Sequence, residues 1–197
     1  MSPRTLHVIK PEIRILGVDD GIFIPHSKSQ VLVIGVVFRA DNWLEGVMST
    51  HVEVDGFDAT SKLVSMIKAS RHYRQLRVIM LNGITLGGLN VVDIKALHLA
   101  TGKPVIAVTN RKPDLDSIYS AMKNLSKSEE RWNAILNAGE IFPVVSRRES
   151  QRVYVEVAGL TRETAAEILR LTATRSRVPE PLRVAHLVAS GIHLYTT

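Results

Sequence analysis

The sequence predicts an α/β domain whose mixed sheet begins with antiparallel strands, continues with parallel ones and is flanked by helices. The runs VLVIGVVFRA at 31–40 and LEGVMSTHVEV at 44–54 are separated only by Asp41-Asn42-Trp43, so with the apolar run before them they make three consecutive antiparallel strands. Farther on, RVIML at 77–81, the helical stretch VVDIKALHLA at 91–100 and PVIAV at 104–108 form the strand-helix-strand crossover of a parallel pair. A chain of 197 residues suffices for one sizeable core, so a single domain over residues 1–197 is expected.

The first strand covers residues 13–19. Ile13, Ile15, Gly17 and Asp19 share one of its faces, and Arg14, Leu16, Val18 and Asp20 share the other. The loop GIFIPHSKS leads into the hairpin. Beyond it Leu63, Met66, Ile67 and Ser70 recur at helical spacing, with Asp58 where an N-cap belongs. The strand at 77–81 runs into a glycine-rich loop, NGITLGGLN, and Gly102 and Pro104 close the helix that follows. Pro113 and Asp114 open another helix, with Leu115, Ile118, Met122 and Leu125 on one side, and SEERWNAILNAG continues in helical style to Gly139. IFPVVS and QRVYVEVAG read as an appended strand pair joined by the charged turn RRES. A helix capped by Thr161 and a last one opened by PEPLR complete the order.

Composition narrows the chemistry. With no cysteine, disulfides, zinc-thiolate sites and a thiol nucleophile are excluded, and any metal must be held by oxygen or imidazole. The segment MSPRTLHVIKPE has no apolar run of a targeting signal, and VLVIGVVF is far shorter than the roughly 18 residues of a membrane span, so a cytoplasmic protein is expected. The formal charge of +6 favours a polyanionic partner, DNA or RNA. Basic residues gather in SRHYRQLR, TNRKP, SRRESQR and TRSRVPEPLR, all near element ends, where they suit a groove that tracks phosphates without reading sequence.

Two acids end the first strand in GVDDGIF. Side by side they repel, so Asp19-Asp20-Gly21 is either a wet turn or the seat of a cation. Asp55-Gly56 reads equally as a tight turn, and Asp58 as a cap. Asp93 lies in the first turn of its helix, where its charge complements the dipole, beside the loop holding Asn82, Gly83, Gly87 and Gly88. That loop brings amides to a helix N-terminus, a place suited to phosphate. His26 in the loop and His186 in the last helix are each a candidate base or late ligand. The alternative for His26 is a solvated loop residue, and for His186 packing between Leu182 and Ala189 on a helix face.

GVDDGIF, GITLGGLNVVDI, RKPDLDSIYSAM and the C-terminal VPEPLRVAHLVASGI together resemble the archaeal family filed as uncharacterised protein family 215, or domain of unknown function 99. That family is grouped with endonuclease V, has been named for a deoxyuridine endonuclease activity, and has the ribonuclease H-like order of elements. The resemblance implies a Mg2+- or Mn2+-dependent endonuclease that nicks DNA, or RNA, at or near a deaminated base, deoxyuridine or deoxyinosine. It implies Asp19 as the first metal ligand, with Asp20 beside it and Asp55, Asp58 or Asp93 as the second carboxylate. It also implies that Arg111 and Lys112 face the scissile phosphate. Relatives that cleave have Asp-Gly after the fourth strand where this chain has Asn82-Gly83, and an amide ligates magnesium without charge. The nearest counterpart of their duplex-opening wedge is Phe23-Ile24-Pro25-His26. A nucleic-acid-binding protein that has lost catalysis, and a scaffold using its C-terminal helices, are the competing readings.

Overall fold

A computed structural model describes residues 12–39, 43–147 and 152–193. Asp41 and Asn42 of the hairpin link, Arg148 to Ser150 of the charged turn, and Gln151 after it lie outside the described residues. The strands are β1 (Arg14–Asp20), β2 (Gln30–Arg39), β3 (Trp43–Glu53), β4 (Val78–Asn82), β5 (Thr85–Leu86), β6 (Asn90–Val91), β7 (Val105–Thr109), β8 (Phe142–Val145) and β9 (Arg152–Ala158). The helices are α1 (Ala59–Ala69), α2 (Ile94–Thr101), α3 (Leu115–Met122), α4 (Ser128–Ala138), α5 (Arg162–Thr172) and α6 (Glu180–His193). Among the described residues no helix is long and apolar enough to cross a membrane.

Seven strands form one sheet in the order β3-β2-β1-β4-β7-β9-β8. The β1, β2 and β3 pairings are antiparallel, β1-β4 and β4-β7 are parallel, and β9 closes against β7 antiparallel with β8 beside it. The expected mixed sheet is therefore present, and the appended strand pair extends it rather than standing apart. Strand alternation sorts side chains into two cores. Leu16, Val18, Ile79, Leu81 and Val105 pack with α1 and α2, whereas Ile15, Val78, Met80, Ile106 and Val155 pack with α5 and the start of α6. Helices thus cover both faces, and burying parallel strands on two sides explains the unbroken apolar runs of β4 and β7.

Three local expectations need correction. Asp58 occupies the N-cap position of α1 but makes no capping bond; Asn90 Oδ1 accepts from the Ala59 amide instead, at 3.0 Å. The helix expected at 91–100 begins at Ile94, because Asp93 is its N-cap, accepting from the Ala96 amide at 2.9 Å. The helical stretch from Pro113 to Gly139 is two helices, with Leu125 in the connection.

Candidate active site

Asp19 sits where β1 meets α6, and two glycines set the distance between them. An added Cβ on Gly17 would lie 2.4 Å from the Pro181 carbonyl carbon and oxygen, and one on Gly21 would lie 3.0 Å from Ala189 O. Four strand residues span about 13 Å, and the eight helical residues from Pro181 to Ala189 span about 12 Å. The helix therefore runs alongside the strand with its ends touching the two glycines, and His186 comes level with Asp19 midway. His186 Nδ1 lies 2.9 Å from Asp19 Oδ2. This corrects the expectation that His186 packs in the core: Leu182, Ala185 and Ala189 make the buried stripe, while the His186 side chain is 61% exposed.

Asn82, one strand over at the end of β4, donates from Nδ2 to the same Asp19 oxygen at 3.1 Å, and the Asp20 amide donates to Oδ1 at 3.0 Å. Asp19 itself is only 2% exposed. Burial, with the charge of Asp20 next, pushes its carboxyl up to about 6 against the downward pull of Asn82, the Asp20 amide and His186. Asp20 faces the other side of the sheet, where its Oδ2 accepts from the Gly87 amide at 2.7 Å; burial raises its carboxyl too. Although alternation turns Asp20 away, the two carboxyls stay close at the strand end: the charge of Asp20 raises Asp19, while a hydrogen bond with Asp19 pulls Asp20 down.

The glycine-rich loop is a small antiparallel hairpin, β5-β6, and several of its amides bond within the protein. Gly87 donates to Asp20, and Leu89 donates to Asp55 Oδ1 at 2.9 Å. The Gly83 amide donates to Val108 O at 2.9 Å. Gly88, at φ +89°, has Asp55 Oδ1 where its Cβ would be. Buried Arg131 of α4 locks the arrangement. It donates to the carbonyls of Ser126 (2.8 Å), Gly56 (2.6 Å), Leu89 (2.6 Å) and Asp55 (2.8 Å). Neither Arg131 nor Asn90 was singled out from sequence.

Each of the three acids named for the second carboxylate has a partner within the protein. Asp55 holds the Leu89 amide and lies 3.3 Å from the largely solvated His26; Asp58 accepts from Asn90 Nδ2 at 2.7 Å; Asp93 caps α2. Among the described residues no three His, Asp or Glu side chains form a cluster able to hold a metal ion. The structure brings together Asp19, Asp20, Asn82 and His186. Two adjacent acids fit magnesium, which takes one or two carboxylates and completes its shell with water and substrate phosphate; they do not fit a closed protein cage.

The carboxyl ends of β1, β4 and β7 lie in one row, since Val18 is opposite Leu81 and Asn82 opposite Val108. Exposed Arg111 and Lys112 follow β7 at that edge, and Thr109 Oγ1 steadies the turn by donating to Arg111 O at 2.9 Å. A pocket of about 420 Å³ opens there, starting at Gly83, the residue after Asn82. Ile84, Leu115, Ile118, Ile135 and Ile141 line it, together with Glu156 of β9. Crevices beyond the carboxyl ends of parallel strands are the usual ligand sites of such sheets.

Glu156 is 4% exposed, and burial raises its carboxyl to about 7. The sign of the stability effect follows. The folded chain holds this proton up to about pH 7, whereas the unfolded chain releases it at the ordinary 4.5, so stability falls as pH rises through that window. The full difference corresponds to about 3 kcal/mol. Because the unfolded carboxyl has already lost most of its proton at pH 5, urea unfolding at pH 5 and pH 8 should show wild-type losing about 2.5 kcal/mol more stability than Glu156→Gln, whose amide does not titrate.

Fold and edge together define a ribonuclease H-like α/β domain with an acidic centre at the end of its first strand. The family model described as Endonuclease dU matches residues 11–193, and the chain belongs to that family. A UPF0215 protein of Methanopyrus kandleri is 49% identical over 187 residues, covering 95% of this chain and 94% of that one. Among solved structures, an Archaeoglobus fulgidus protein of unknown function aligns with a TM-score of 0.82 at 38% identity, covering 91% of this chain and 98% of that one. Endonuclease V of Bacillus subtilis aligns with a TM-score of 0.65 at 14% identity, covering 99% and 86%. Endonuclease V of Ciona intestinalis, solved with a DNA containing inosine, aligns with a TM-score of 0.59 at 15% identity, covering 92% and 86%. The endonuclease V likenesses show the shared fold.

Proposed function

We propose that the chain is a cytoplasmic, magnesium- or manganese-dependent endonuclease that nicks DNA at or near a deaminated base. The observation that carries this reading is the convergence of a buried Asp19 with Asp20, Asn82 and His186 beside a basic strand edge. Asp19 and Asp20 would hold the metal, with Asn82 turning its amide oxygen to it. Bound there, the ion would supply an acidified water and neutralise charge on the attacked phosphate. Arg111 and Lys112 attract and steady the phosphate backbone. His186 keeps Asp19 oriented through Nδ1, and its exposed ring is placed to hold or pass a proton at Nε2. The pocket at Gly83 receives the base next to the scissile bond.

The test is nicking of oligonucleotides bearing one deoxyuridine or one deoxyinosine against an unmodified strand, each with Mg2+, Mn2+ or chelator. Cleavage of the modified strands alone, and only with metal, is the expected result. Equal cleavage of all three strands removes the damage specificity. Salt-sensitive binding without cleavage selects the second reading, a catalytically impaired nucleic-acid binder. What favours that reading is the uncharged Asn82. Its replacement is informative: Asn82→Asp adds a carboxylate against Asp19 and should tighten Mn2+ binding on the order of tenfold by calorimetric titration.

A further inference from the structure

Among the buried acids of the described residues, Asp19 is held by Asn82 and His186, and Glu180 is paired with Arg183. Glu156 alone of these three takes no hydrogen bond and no ion pair among the described residues. It points into the pocket at the strand edge, from a position on β9 opposite Ala107 of β7. An unsatisfied buried carboxyl is costly, and no hydrogen bond from the other lining residues offsets that. A group left in this state beside a site suits a ligand that completes its hydrogen bonds.

The surroundings limit that ligand. Arg111 and Lys112, the exposed basic residues of the lining, suit a phosphate at the rim, whereas the carboxyl and the isoleucine and leucine walls around it suit an uncharged group. The pocket volume of about 420 Å³ suits a small ring. A neutral carboxyl has one donor and one acceptor side by side, the complement of an N-H next to a C=O. Uracil and hypoxanthine carry that edge.

We propose that Glu156 reads the extruded base: its carboxyl carbonyl accepts from the ring N-H while its O-H donates to the neighbouring base carbonyl. The inference rests on the reading of the chain as an enzyme acting on deaminated DNA, and it assigns the contact that holds the base. A cytosine edge also offers one donor and one acceptor, so Glu156 senses that a base is in the pocket. Preference for deaminated bases then follows from the ease with which a mismatched base leaves the stack.

The test uses a labelled duplex with one deoxyuridine opposite guanine and the same duplex with a tetrahydrofuran abasic site at that position. Binding is read by anisotropy in chelator, so cleavage plays no part. Wild-type should bind the deoxyuridine duplex about tenfold tighter than the abasic one. Glu156→Leu should bind both within twofold, and Glu156→Gln, which retains a donor and an acceptor, should keep the preference. A preference in Glu156→Leu equal to wild-type, or none in wild-type, overturns the proposal. A second arm applies saturation-transfer NMR to free deoxyuridine. Base-proton signals with wild-type that vanish with Glu156→Leu, in a protein that cuts no strand, support the base contact while the nuclease reading fails. Unchanged selective cleavage by Glu156→Leu leaves the nuclease reading intact and overturns this one.

Discussion

Arg131→Met is expected to lower the free energy of unfolding by about 4 kcal/mol. Arg131 is 1% exposed, and its guanidinium satisfies the carbonyls of Ser126, Gly56, Leu89 and Asp55 while lying 5.5 Å from the Phe57 ring. Methionine fills similar volume but leaves four acceptors without this donor. Burial lowers the Arg131 pKa, with Asp55 and Glu130 pulling the other way, so the charge is carried at some cost for the sake of these bonds. Arg131→Lys should recover only part of the loss, because an ammonium lacks the planar fork that reaches carbonyls of three segments. The consequence extends to the site. Releasing Asp55 and Leu89 frees the β5-β6 hairpin, and with it the Gly87 amide that holds Asp20. Urea unfolding of the three proteins measures the stability, and wild-type stability in Arg131→Met would contradict the role given to these bonds.

Gly17→Ala is expected to cost about 3 kcal/mol, at the upper end for one added methyl. The new Cβ meets backbone atoms of Pro181 at 2.4 Å, and a backbone cannot rotate out of the way as a side chain does. Helix α6 must lift from β1, which pulls His186 from Asp19. Gly191 is the control on the same helix: a Cβ there meets nothing within 4 Å, so Gly191→Ala should raise stability by roughly 0.5–1 kcal/mol through helix propensity. Opposite signs from two identical substitutions would separate the close approach at Gly17 from any general effect of glycine. Equal stability of Gly17→Ala and wild-type would mean that α6 does not rest on β1 as described.

The element order and the position of Asp19 on β1 were legible because they depend on local pattern. Apolar runs marked the buried strands, and alternation with Ile13 and Ile15 placed Asp19 on the α6 face of β1. His186 was legible as a candidate, but its partner was not, since that is fixed by the register in which α6 docks on Gly17 and Gly21, a contact between residues far apart in sequence. Glu156 was hidden by its own strand: in VYVEV the alternation assigns it to a polar, open face, but β9 lies inside the sheet, with helices on both sides. Asp55, Asp58 and Asp93 read equally as ligands, caps or turn residues because capping, turn formation and metal binding draw on the same side chain. Only their partners, the Leu89 amide, Asn90 and the Ala96 amide, tell these roles apart.

The account turns on Asp19, and single-turnover cleavage of a deoxyuridine strand in Mg2+ by wild-type and Asp19→Asn tests it most directly. Asparagine keeps the shape but removes the charge that would hold the ion. A loss of several kcal/mol of transition-state stabilisation, about a thousandfold in rate, is predicted, with thermal unfolding showing Asp19→Asn still folded. A folded Asp19→Asn that cuts at the wild-type rate would contradict the placement of the active centre at the end of β1.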